Sequence, residues 1–181
     1  MRKQNWNWEC CKIMAEKIVN RVANSGLINL DLSDYAPTKT ISEIDLKQFL
    51  FEGFILKEKE FRTALKDFDW AQYDGKIVAI NCSSDCIIPM WAFMLTTSHL
   101  NNRASEIHFG AKNEVFQKLF LQNIESITPD EFENKKVIVK GCGHIPLNED
   151  LYVAITKKLQ NTVSSLMFGE ACSAVPVFKK K

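Results

Sequence analysis

Neither sign of charge is in excess in this chain. Its 23 Lys and Arg stand against 22 Asp and Glu, a formal +1, so no broad field exists to hold nucleic acid or an anionic membrane surface. Long apolar runs are missing too: charges break every hydrophobic stretch well before the roughly 20 residues that a membrane span requires. The opening MRKQNWNWECCKIM is too polar for the apolar centre of a secretory signal peptide. A cytoplasmic protein with no nucleic-acid or membrane partner is the expectation. Six cysteines are too few for a disulfide-stapled secreted scaffold, and a reducing compartment would keep them as thiols. No stretch rich in Gly, Pro and Ser divides the chain, so residues 14–181 are expected to form a single domain.

What the chain does contain is enough to fold. Hydrophobic residues make up 46% and aromatics 10% of its 181 positions, which excludes a disordered polypeptide and suits one cooperative core. Residues 1–13 carry two tryptophans and adjacent Cys10 and Cys11 without a period, and are expected to be a disordered extension. MAEKIVNRVANSGL then predicts a short helix ending near Gly26, and the alternation from Leu27 to Leu32 predicts a strand. Asp45 is placed to cap a helix over LKQFLFE, with Gly53 to stop it, and EKEFRTALKDF has helical spacing.

From Lys76 onward the rhythm changes. Short apolar runs (Lys76–Asn81, Glu106–Phe109, Val137–Lys140, Val163–Phe168) alternate with the amphipathic segments PMWAFMLTTSHL, NEVFQKLFLQNI and NEDLYVAITKKLQ. Alternating βα units predict an α/β fold: a single three-layer domain with a mostly parallel sheet of four or five strands, right-handed crossovers and N-terminal helical cover. A brief likeness links KIVAINCSSDCIIP, KVIVKGCGHIP and SSLMFGEACSAVP, each running strand, cysteine, then aliphatic residue and proline. Reused turn chemistry is one explanation for it.

If the four runs share one sheet, Cys82, Cys142 and Cys172 all lie at its carboxyl edge, where open α/β sheets hold their ligands. The amides of Ile88 to Trp91, at a helix start, would favour thiolates nearby. Three thiolates suit zinc or an iron–sulfur cluster, with Asp85, His144 or Glu170 as a further ligand. No C-x-x-C, H-E-x-x-H or ferredoxin spacing is present. Three readings of the thiols therefore stand side by side: a shared metal or cluster, inert core cysteines, and thiol chemistry without metal. Cys86, four residues after Cys82 and ahead of two isoleucines, reads as core-facing.

The strings AEKIVNRVANSGL, LFEGFILKEKEFR, VAINCSSD with IIPMWAFML, VIVKGCG with IP, and GEACSAVPVFKKK together resemble a bacterial family catalogued as domain of unknown function 2480. The resemblance implies that Cys82, Asp85, Cys142 and Cys172 fall within family motifs. The family pattern has alanine where this chain has Cys86 and varies at His144. Relatives lie near genes for iron–sulfur cluster assembly, which implies a metal-binding accessory protein with iron–sulfur assembly proteins as partners. A zinc- or thiol-dependent enzyme and a non-catalytic interaction domain with inert core cysteines are the alternatives.

Overall fold

The structure is a computed structural model that describes residues 26–141 and 145–181. In chain order its elements are β1 (Leu27–Asp31), β2 (Ile41–Asp45), α1 (Glu58–Asp67), β3 (Ile77–Asn81), α2 (Met90–Leu100), β4 (Glu106–Phe109), α3 (Lys112–Ser126), β5 (Lys136–Lys140), α4 (Glu149–Leu159), β6 (Ser165–Phe168) and β7 (Val175–Lys179). The α/β class with mostly parallel strands is as the alternation predicts. The expected helix over residues 14–26 and the extension before it lie almost wholly outside the described residues.

The four apolar runs do not share one sheet. β3 and β4 join β2 in a three-stranded parallel sheet of order β2-β3-β4, whereas β5 and β6 join β1 and β7 in a four-stranded sheet of order β1-β5-β6-β7. Among the described strands only β7 is antiparallel to its neighbour. Two strands were not foreseen. β2 has just two core side chains, Ile41 and Ile44, and β7 contains Pro176, a residue confined to sheet edges.

The division follows an internal duplication. β3, α2 and β4 recur as β5, α4 and β6 when 59 is added to each residue number, since 136 minus 77, 149 minus 90 and 165 minus 106 all equal 59. The buried side chains keep that register: Phe61 and Phe120, Leu65 and Ile124, Val78 and Val137, Ile80 and Val139, Leu100 and Leu159. Backbone details match as well. The amides of Gly110 and Gly169, both at positive φ, donate to the carbonyls of Ile80 and Val139 at 3.0 Å each. Gly75 (φ 70°) corresponds to Asn134 (φ 55°), and Asn is among the few non-glycine residues that tolerate this region. The first strands, β1 and β2, are a second matched pair. Asp31 and Asp45 end them, and each carboxylate accepts the amide two residues later, from Ser33 at 3.0 Å and Lys47 at 2.9 Å. Because β1 pairs with β5 and β2 with β3, the two repeats are interleaved along the chain. The β2-β3-β4 unit is called here the first repeat and the β1-β5-β6 unit the second.

Packing ties the repeats together. Ile44, Phe61, Leu65, Val78, Ile80 and Ala92 belong to one core cluster, and Leu30, Phe120, Ile124, Val137, Val139 and Leu151 to its counterpart. Helix α3 serves both sheets: Phe120 and Ile124 join the second cluster, while Val115 and Leu119 pack on Ile41, Ile77 and Ala79 of the first sheet. Each such fully buried side chain contributes about 1.5–3 kcal/mol relative to exposure. This places the carboxyl ends of β3 and β5 in two separate but equivalent positions.

Candidate functional site

The loop after β3 is pinned from outside at two points and closed by a turn of its own. Asp45, at the end of neighbouring β2, accepts the Ser83 amide at 3.0 Å and the Ser83 hydroxyl at 2.5 Å, beside its own cap bond from Lys47. The Ser84 hydroxyl donates to the Gly53 carbonyl at 2.5 Å. The Cys86 amide then donates to the Ser84 carbonyl at 2.9 Å, closing a turn over residues 84–86. That turn brings Cys86 Sγ to 4.0 Å from Cys82 Sγ. Both thiols are half-buried and pack against the core cluster of the first repeat.

Electrostatics separate the two acidic groups here. Burial pushes the Asp45 carboxyl up, but the Ser83 hydroxyl and amide and the Lys47 amide outweigh it, so the group is held below the usual carboxylate range. Burial pushes the Cys82 thiol up, and Cys86 and Asp45 push it the same way, against the backbone of Ser84. Cys82 therefore carries its proton at neutral pH. A cation that takes the thiolate must displace that proton.

The sequence-predicted residues do not follow strands of one sheet. Cys82 follows β3 of the three-stranded sheet, while Cys172 is exposed in the connection between β6 and β7 of the four-stranded sheet, so the premise of one common edge does not hold. Asp85 is exposed. Cys142 and His144 lie outside the described residues. Among the described residues no group of three or more His, Cys, Asp or Glu side chains is placed to hold a metal, and Glu170 is no part of such a group. Cys86, read as core-facing, is the thiol that does meet Cys82; the spacing of four was visible, but the turn that uses it depends on Asp45 and Gly53, far away in sequence.

The comparison with protein families decides what the chain is related to. The family described as "Protein of unknown function (DUF2480)" matches residues 16–180, nearly the whole length. The chain belongs to this family. No curated protein and no solved structure matches it. Among the described residues of this DUF2480 protein, no helix is long and apolar enough to cross a membrane.

Proposed function

We propose that this DUF2480 protein is an accessory protein that captures a soft metal, zinc first and an iron–sulfur cluster second, through Cys82 and Cys86, and that it works beside iron–sulfur assembly proteins. The observation that carries the proposal is the 4.0 Å between the two sulfurs. Two zinc–sulfur bonds of about 2.3 Å at the tetrahedral angle put their sulfurs about 3.8 Å apart, so the pair needs almost no movement to become a two-toothed ligand. Two protein thiolates leave further positions to other donors. Cys142, His144, Cys172 and Asp85 remain the candidates in this chain, and a partner protein's thiol is the other source. A site completed by exchangeable donors suits delivery better than catalysis.

A second reading rests on the same pair. Two half-buried thiols at this distance can form a disulfide with loss of two protons and two electrons to a small disulfide such as glutathione disulfide. The raised affinity of Cys82 for its proton opposes both reactions alike, since the thiolate is the nucleophile and the metal ligand. The near-tetrahedral sulfur spacing is what favours the metal reading. The test is elemental analysis of protein purified without oxygen, with Cys82→Ser, Cys86→Ser and Cys172→Ser alongside. About one zinc or iron centre per chain, lost in the first two variants, supports metal capture. Metal-free protein from replete medium overturns it, and a mass lower by two hydrogens after glutathione disulfide then assigns the pair to redox chemistry.

A further inference from the structure

The two repeats differ at one edge. In the second repeat β6 is covered by β7, whose Val177 borders the same groove as Tyr152 and Phe168. In the first repeat β4 leads through Gly110 and Ala111 directly into α3, and among the described residues no strand pairs with its outer side. The aromatic pair beneath is nevertheless the same: Phe93 meets Phe109 edge-on at 5.4 Å, as Tyr152 meets Phe168 at 5.6 Å. Phe109 is 73% exposed where Phe168 is 47%.

The neighbouring helices have diverged in step with that difference. Both bury every fourth residue, Ala92, Thr96 and Leu100 in α2 and Leu151, Ile155 and Leu159 in α4. On the outside, α4 carries Glu149, Asp150, Lys157 and Lys158, whereas α2 has no Asp, Glu, Lys or Arg in its 11 residues. It presents Met90 and Met94, 73% and 71% exposed, and Ile87 just before it is 95% exposed. An open groove of about 530 Å³ runs along Phe93, Met94, Thr97, Ser98 and Asn101. A helix apolar on both faces is one that packs on both. β7 also carries Pro176 and Lys179, devices that blunt a sheet edge, and β4 carries neither.

We infer that β4 pairs antiparallel with β4 of a second copy of this chain, joining the two three-stranded sheets into one of six and burying the apolar face of α2 against its twin. β7 on β6 shows that this fold accepts an antiparallel strand at that edge. The second copy is the occupant because β4 and α2 complement themselves. Opposed residues in such a pair must point to the same side of the sheet, and a two-fold axis at Ile107 satisfies this. Glu106, which already meets His108 of its own chain at 3.2 Å, then also stands across from His108 of the other chain on the α3 side, so the two acid–imidazole pairs meet across the axis. On the α2 side Ile107 meets Ile107, and Met90 and Met94 flank the axis.

The experiment is sedimentation equilibrium of the full chain with Met90→Glu/Met94→Glu and, as a control at the equivalent place in the second repeat, Val153→Glu. All three positions are exposed, so none of these changes threatens the core. The expected result is a dimer at tens of micromolar, roughly a hundredfold weaker in the Met90/Met94 variant and unchanged in Val153→Glu. Hydrogen exchange should slow at the amides of residues 106–109 as concentration rises. A monomer at all concentrations, a dimer equally sensitive to Val153→Glu, or a dimer without protection in β4 would overturn the inference.

Discussion

Gly141 and the ring of Tyr152 exclude one another's growth. A Cβ on Gly141 would fall 2.5 Å from the Tyr152 hydroxyl oxygen and clash with Leu147 Cδ1 as well. In the first repeat the equivalent positions hold Cys82 and Phe93, a side chain added at one and a hydroxyl removed at the other. The missing hydroxyl is one of two differences that leave room for a thiol immediately after β3, the other being Ile88 in the place of Leu147, whose Cδ1 is the nearest atom to a Cβ at Gly141. Gly141→Ala is expected to destabilise the protein by about 1–3 kcal/mol through overpacking. Adding Tyr152→Phe should recover part of that loss, as read from urea midpoints.

Asp45 gives a pH signature. Its folded-state carboxyl titrates below the ordinary 3.8 because Ser83 and Lys47 donate to it, despite burial that acts the other way. A depressed folded value means stability that is fully present above the unfolded value and lost as pH falls through the folded one. Asp45→Asn should therefore cost about 1 kcal/mol at pH 7, the scale of the charge-assisted bond from Ser83 that it weakens, since Asn still caps. The gap from the parent protein should close as pH drops below 3.8, in thermal unfolding followed by circular dichroism.

How far the sequence carried depends on whether a feature was local. Helices α1 to α4 and strands β1 and β3 to β6 stand in runs whose own period marks them, and the strand parts of KIVAINCSSDCIIP and KVIVKGCGHIP lie at equivalent places in the two repeats, on β3 and β5. The likeness at SSLMFGEACSAVP does not: it spans β6 and the connection to β7. What stayed hidden was the partition of strands between sheets, because β1 skips over three strands to reach β5 and β2 reaches β3 across α1. Nothing in a run such as Val137–Lys140 tells which sheet it will enter. The premise that Cys82 and Cys172 end strands of one sheet failed for that reason. The Cys82–Cys86 approach was missed because it depends on Asp45 and Gly53 holding the loop from outside.

Thr96 and Ile155 occupy the same buried place in α2 and α4. The Thr96 hydroxyl is satisfied by the Ala92 carbonyl at 2.9 Å, a bond within its own helix that adds little. Thr96→Val should thus change stability by less than about 1 kcal/mol. Ile155→Thr, which places a hydroxyl in a fully apolar cluster, should cost about 2 kcal/mol or more. Chemical denaturation of the two variants side by side checks the asymmetry.

The most direct test of the thiol pair is a cobalt(II) titration of the reduced, oxygen-free protein followed by absorption. The account predicts thiolate-to-cobalt charge-transfer bands that saturate near one equivalent, vanish when zinc is added, fall to about half intensity in Cys86→Ala and disappear in Cys82→Ala/Cys86→Ala. Bands of full strength in the double variant, or none in the parent protein, would contradict it.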